Sequence, residues 1–174
     1  MHDPEPYYGG PPKEERPNVA RQPVHVVLDN IRSAFNVGSI FRTSDAGGVE
    51  HLHLCGMCAH PPHKKLYKTA LGASDYVPWT YHERTVDALD ALGDRGIHRV
   101  AIEATSDGIS LMEYTFPKPS AIVFGHEVNG IRDRVMRHCD ATVYIPMHGY
   151  KNSINVATAF GIVLYELLRK WDAA

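Results

Sequence analysis

Tyr144-Ile145-Pro146-Met147-His148-Gly149-Tyr150-Lys151-Asn152-Ser153-Ile154-Asn155-Val156-Ala157 is the stretch on which the reading of this chain turns. A short apolar segment ends at Pro146, and a polar, glycine-bearing loop then leads into a run of helical periodicity. Val156, Ala159, Phe160, Val163, Leu164, Leu167 and Trp171 fall on one stripe at three- and four-residue spacing. The spacing predicts a helix over 155–171, with Ser153 or Asn155 as its N-cap, because a side-chain oxygen there can accept from the first free amides.

Two further stretches are as specific. Leu28–Arg42 contains N-x-G-x-x-x-R as Asn36, Gly38 and Arg42, and runs on into Ser44-Asp45-Ala46-Gly47-Gly48. Ile122–Ile131 carries G-x-E-x-x-G as Gly125, Glu127 and Gly130, behind an apolar strand. With the I-P-M-x-G-x-x-x-S-I-N-V-x-x-A string of the opening stretch, these resemble, in order, the three motifs of the SpoU class of SPOUT RNA methyltransferases. The resemblance runs from about Pro23 to Leu168. It implies transfer of a methyl group from S-adenosyl-L-methionine to a ribose 2'-hydroxyl of tRNA or rRNA. It also implies an α/β, parallel-sheet SPOUT fold whose C-terminal segment threads a loop to form a deep trefoil knot, an exception to the rule against threading.

Size and composition agree with a single globular domain: 174 residues, 44% hydrophobic and 22% charged. No apolar run approaches the roughly 20 residues of a membrane span, and the N-terminus has no apolar signal core, so a cytoplasmic protein is expected. The net charge of −2 does not announce a nucleic-acid binder. Arg32, Arg42, Lys64, Lys65, Lys68, Arg132, Arg134, Arg137 and Lys151 are the residues from which a local basic surface would be built. Cys55, Cys58 and Cys139 form no disulfide framework. The Cys55…Cys58…His60…His63 run crowds four would-be ligands around Pro61-Pro62 and matches no common zinc spacing, so no metal is expected.

Residues 1–22 are rich in proline, glycine and charge and read as a flexible arm ahead of a 23–174 methyltransferase domain. Strands are expected at Val24–Leu28, His51–Cys55, Val77–Tyr81, His98–Ala104, Ala121–Phe124 and Ala141–Ile145. Helices are expected from Asn36, as cap, to Gly47, and at Lys64–Ala70, Thr85–Leu92, Arg132–His138 and Asn155–Trp171. Such alternation implies a layered domain with a parallel sheet. The dinucleotide fingerprint G-x-G-x-x-G is absent after the first strand. Gly125 and Gly130 have phosphate-loop spacing, but Ile131-Arg132 stand where Lys and Ser/Thr would be needed.

Methyl transfer from a sulfonium is an in-line displacement that needs donor and hydroxyl aligned and one proton removed. The candidate cofactor loops are Ala104-Thr105, Gly125-His126, and Ile145 to Gly149 with Met147, joined by Ser153-Ile154. The resemblance places Gly125, Ile145 and Ile154 on the cofactor. On the RNA side stand Asn36 and Arg42, with Gly38 leaving room beside the guanidinium. A guanidinium is a poor base, so Arg42 is assigned to a bidentate clamp on the target phosphate. Glu127 would orient Arg42 or accept from it, and Ser153 and Asn155 would position the ribose or shape the cofactor loop. The alternatives are a catalytically silent RNA-binding protein of the same fold, and a metal or redox protein built on Cys55 and Cys58. A homodimer is expected, because the stripe reaching Trp171 and the first-motif residues Val37, Ile40 and Phe41 make large apolar faces. The resemblance implies that Arg42 there serves the cofactor of the partner.

Overall fold

The first strand, β1 (Gln22–Asp29), is buried on both faces, and its near-continuous run Val24-His-Val-Val-Leu28 is the mark of a central strand in a parallel sheet. The computed structural model describes residues 20–173. Six more strands follow: β2 (Val49–Cys55), β3 (Trp79–His82), β4 (His98–Ile102), β5 (Ile109–Ser110), β6 (Ser120–Phe124) and β7 (Ala141–Tyr144). Every paired neighbour is parallel, in the order β3-β2-β1-β6-β4-β7-β5. Among the described residues five α-helices accompany them: α1 (Ala34–Ala46), α2 (Lys64–Ala70), α3 (Thr85–Asp94) and α4 (Asp133–Met136) between strands, and α5 (Val156–Asp172) after the last. Val24, Val26 and Leu28 pack into a core with α1, α2 and α5, whereas Val27 packs into a second core with α3 and α4. Among the described residues no helix is long and apolar enough to cross a membrane.

The arm expected over 1–22 lies, through residue 19, outside the described residues. Its last two residues belong to the folded body: Gln22 opens β1, and the Arg21 guanidinium donates to the carbonyls of Val49 and Tyr76. The expected elements are otherwise in place, with ends moved by at most three residues. The two-residue β5 and a 3-10 turn at Ala73–Asp75 were not foreseen, because neither is long enough to carry a period.

Two local readings are corrected. Ser33, not Asn36, caps α1: its hydroxyl accepts from the Asn36 amide at 3.3 Å. Asn36 is therefore the third helical residue and its carboxamide is free for other partners. Gly38 does not make room for Arg42. A Cβ there would collide with the Thr69 hydroxyl and the Leu66 carbonyl, so the glycine is what lets α2 lie against α1.

Under α3 the sheet carries a row of histidines. His25 Nδ1 and His53 Nε2 share a hydrogen bond of 3.1 Å, and His53 Nδ1 and His82 Nε2 one of 3.0 Å. His25 is 2% exposed and His53 7%. Burial, reinforced by neighbouring histidines and Arg95 and opposed at His25 by Glu50, pushes His25 down to about 4 and His53 down to about 3. A histidine held neutral in the fold is protonated first in the unfolded chain. The stability it provides is complete above its ordinary value near 6.5 and is lost as pH falls toward the folded value. Unfolding free energy measured by denaturant titration should drop between pH 6.5 and 5 by up to about 1.4 kcal/mol per pH unit for each of the two. A flat profile over that window would contradict the assignment.

Candidate active site

In an open parallel sheet the loops leaving the carboxyl ends of adjacent strands are where a ligand is received. Here β6, β4 and β7 are neighbours. The loops after β4 and β6, together with the segment that follows β7 into α5, enclose a cleft of about 560 Å³, within the range of small-molecule sites. Ala104, Gly125, His126, Ser153 and Ile154 line it, as do Glu127 and Asn155. Thr105, Ile145 and Met147 are not among the lining residues. Ile145 packs against the core instead, and the Thr105 hydroxyl is buried with no hydrogen-bond partner among the described residues.

One hydrogen-bonded chain ties the three motifs together. Glu127 Oε1 accepts from the Asn36 carboxamide at 3.1 Å and from the Ser33 amide at 3.1 Å, and Oε2 accepts from the Arg32 amide at 3.0 Å. Asn36 Oδ1 in turn accepts from Asn155 Nδ2 at 3.1 Å. Asn155 Oδ1 accepts from the amides of Ala157 and Thr158, so the residue caps α5, as the sequence predicts. Burial alone would raise the Glu127 carboxyl. The amides of Arg32 and Ser33 and the Asn36 carboxamide outweigh it and hold the group below the usual carboxylate range. Glu127 thus sits at the N-terminus of α1, where a negative charge is favoured, and does not bond Arg42 as expected. Arg32, Ser33, Asn36, Glu127 and Val128 also line a shallower recess of about 380 Å³. Glu127 lines both spaces.

Gly125 is required by the chain's own backbone. A Cβ there would lie 2.5 Å from the Gly130 carbonyl oxygen and from the Ile131 amide nitrogen, backbone atoms that cannot step aside. The glycine lets the loop after β6 fold back on itself. Gly125→Val would therefore break the loop and not merely fill the cleft. His126 serves the same turn, its Nδ1 accepting from the amides of Val128 and Asn129 at 3.0 and 3.2 Å. Glu103, which lines the cleft wall, escaped the sequence reading. Its only signal was a charge closing the buried strand His98–Ala104, easily taken for a solvated strand end.

Arg42 is not in this cleft. It is exposed on α1 and lines a separate open cleft of about 550 Å³ with Ser39, Thr43, Lys68 and Tyr165. No ion pair holds it among the described residues. The apolar faces that suggested a dimer are covered within the chain. Val37, Ile40 and Phe41 are fully buried, the stripe of α5 joins the same core, and Trp171 packs on it while donating to the Phe116 carbonyl. The outward face of α1, α2 and α5 instead exposes Phe35, Leu71, Ile162 and Tyr165. The metal or redox reading of Cys55 and Cys58 finds no footing. Both thiols are buried, burial pushes Cys58 up to about 12 and Cys55 higher still, and Cys58 is held between the Ile31 amide and the Leu28 carbonyl. Among the described residues no group of three or more His, Cys, Asp or Glu side chains is placed to hold a metal ion.

Residues 23–165 match the model of the SpoU rRNA methylase family. The chain belongs to that family. Among its relatives is the 23S rRNA (guanosine-2'-O-)-methyltransferase RlmB of Pseudomonas aeruginosa, 30% identical over 148 residues that cover 85% of this chain and 59% of that one. The tRNA (guanosine(18)-2'-O)-methyltransferase of Aquifex aeolicus is 30% identical over 148 residues, covering 83% of this chain and 68% of its own. The crystal structure of the SpoU methyltransferase AviRb from Streptomyces viridochromogenes in complex with the cofactor AdoMet superposes with a TM-score of 0.81. It is 27% identical and covers 92% of this chain and 65% of its own. This member of the SpoU family thus spans about 60% of the length of the RlmB relative.

Proposed function

We propose that the protein transfers a methyl group from S-adenosylmethionine to a ribose 2'-hydroxyl of tRNA or rRNA. The observation that carries this reading is the hydrogen-bonded chain Glu127–Asn36–Asn155, which joins all three motifs beside a cleft at the carboxyl ends of β6, β4 and β7. S-adenosylmethionine, when bound there, supplies a methyl carbon on a sulfonium, and the S–CH3 bond breaks as the ribose oxygen bonds to carbon. The fit is supported by the size of the cleft and by backbone edges at Ala104, Gly125 and Ile154 that suit an adenine. Asn36 and Asn155 fix the floor between this cleft and the Arg32–Val128 recess, where the ribose would sit. Glu127 holds that floor rigid and is a positioning residue, because its oxygens are occupied by α1. Ser153, exposed on the cleft rim, would contact the ribose or the donor.

A homodimer completes the site. Arg42, which makes no ion pair among the described residues, would reach the cleft of a second copy through the exposed face of α1, α2 and α5 and grip the phosphate next to the target ribose, and an oxygen of that phosphate takes the proton of the 2'-hydroxyl. The trefoil knot belongs to the same reading. Its support is that the segment after β7 meets the loops after β4 and β6 before α5 returns to α1. A tRNA or rRNA substrate would place the protein in the cytoplasm. Isothermal calorimetry should detect binding of S-adenosylmethionine and S-adenosylhomocysteine without added metal. Mass spectrometry of nucleosides from tRNA and rRNA should then find one 2'-O-methyl nucleoside missing in cells without the gene. Folded protein that binds neither ligand would leave only the silent RNA binder.

A further inference from the structure

Among the described residues the cleft wall holds two carboxylates, Glu103 and Glu127, and no Lys or Arg. The charge of Glu127 is taken up by the amide end of α1. Glu103 is met by loop amides and not by a helix end, and among the described residues no Lys, Arg or His lies within ion-pair distance of it. Nor is it a loose surface side chain. Its Oε2 accepts from the Ile131 amide at 2.8 Å and its Oε1 from the Ala104 amide at 3.1 Å, which pins the carboxylate between the loops after β4 and β6. Gly130, at φ +62°, lies directly over it, and a Cβ at that position would run into Oε2. The two amides use about half of the carboxylate's accepting capacity. The rest is left toward the cleft.

We propose that Glu103 selects the ligand of this cleft by charge, favouring a cationic S-adenosyl donor over its neutral-sulfur product. This rests on the cofactor reading above and adds to it. Donor and product share the adenine, the ribose and the amino-acid end and differ by the methyl group and the positive charge on sulfur. A fixed negative charge in a part-enclosed cleft attracts the sulfonium, and the attraction vanishes once the methyl group has left. Glu103 thereby holds the donor and loosens the product without touching the reacting oxygen.

The test compares Kd values for S-adenosylmethionine, S-adenosylhomocysteine and the analogue with an ammonium-bearing carbon in place of the sulfonium. Glu103→Gln should weaken the two cationic ligands by about tenfold and leave S-adenosylhomocysteine within about twofold. Unchanged product binding also reports that the cleft is still folded. Glu103→Asp should keep part of the preference, since it keeps the charge. Repeating the series in an Arg42→Ala background removes the guanidinium that the proposed dimer would bring to the cleft. If all three ligands weaken equally, Glu103 recognises the shared ribose and charge selection is wrong. Unaltered affinities would overturn it as well. Should wild-type protein bind none of the three, it is the cofactor reading that fails.

Discussion

Arg42→Ala is expected to lower methyl transfer by about a hundredfold or more while leaving the affinity for S-adenosylmethionine near that of the wild type. The split follows from position. Arg42 lies outside the Ala104–Ser153 cleft, in a cleft of its own with Lys68 and Tyr165, so its loss removes nothing from the cofactor walls of its own chain. It is exposed and makes no ion pair among the described residues, so its loss should cost the fold little. In the proposed role it removes a planar donor for a phosphate, and with it the alignment of hydroxyl and methyl carbon. Arg42→Lys should recover little of the rate, because an ammonium cannot hold two phosphate oxygens in one plane. Single-turnover transfer and calorimetry on the same preparations check both halves. Near-wild-type activity of Arg42→Lys would refute the clamp.

The sequence disclosed the site unevenly, for reasons that can be traced residue by residue. Asn155 was legible because capping is local: a side-chain oxygen ahead of an apolar period has few other uses. Asn36 was legible as a residue of the candidate site but not as the third residue of α1, behind the Ser33 cap. Ser33 and Asn36 are both good caps three residues apart, and only the contact with Glu127, ninety-one positions away, decides between them. Gly38 and Gly125 fell short in the same way. A glycine announces close approach without naming the approaching group, which is α2 in one case and the loop's own backbone in the other. The α5 stripe announced burial but not the partner, which is the chain's own sheet and α1. Glu103 was invisible because a single carboxylate at a strand end has no pattern. Its meaning comes from Gly130 and Ile131 folding over it.

Mixing two inactive variants should restore activity if the site is shared between subunits. One variant is Arg42→Ala, whose cofactor cleft is intact. For the other, Gly125→Val is unsuitable, since the added side chain strikes the backbone of Gly130 and Ile131. Ala104→Phe is the better choice, because Ala104 is exposed on the cleft wall and bulk added there occupies the space meant for the donor. In a heterodimer the Arg42→Ala subunit supplies the cleft and the Ala104→Phe subunit supplies Arg42, giving one complete site and one doubly damaged one. Purified heterodimer, carrying a different affinity tag on each subunit, should work at about half the wild-type rate, one site of two. The arrangement would also account for an Arg42 that is exposed, makes no ion pair among the described residues, and lies in a cleft that Glu127, Ser153 and Asn155 of its own chain do not line. An isolated guanidinium on a helix bordered by Phe35, Leu71, Ile162 and Tyr165 suits a surface that closes on another copy. Verified heterodimer without activity, from subunits that each keep their fold, would mean that Arg42 acts on the cofactor of its own chain and that the two clefts must come together by movement of α1.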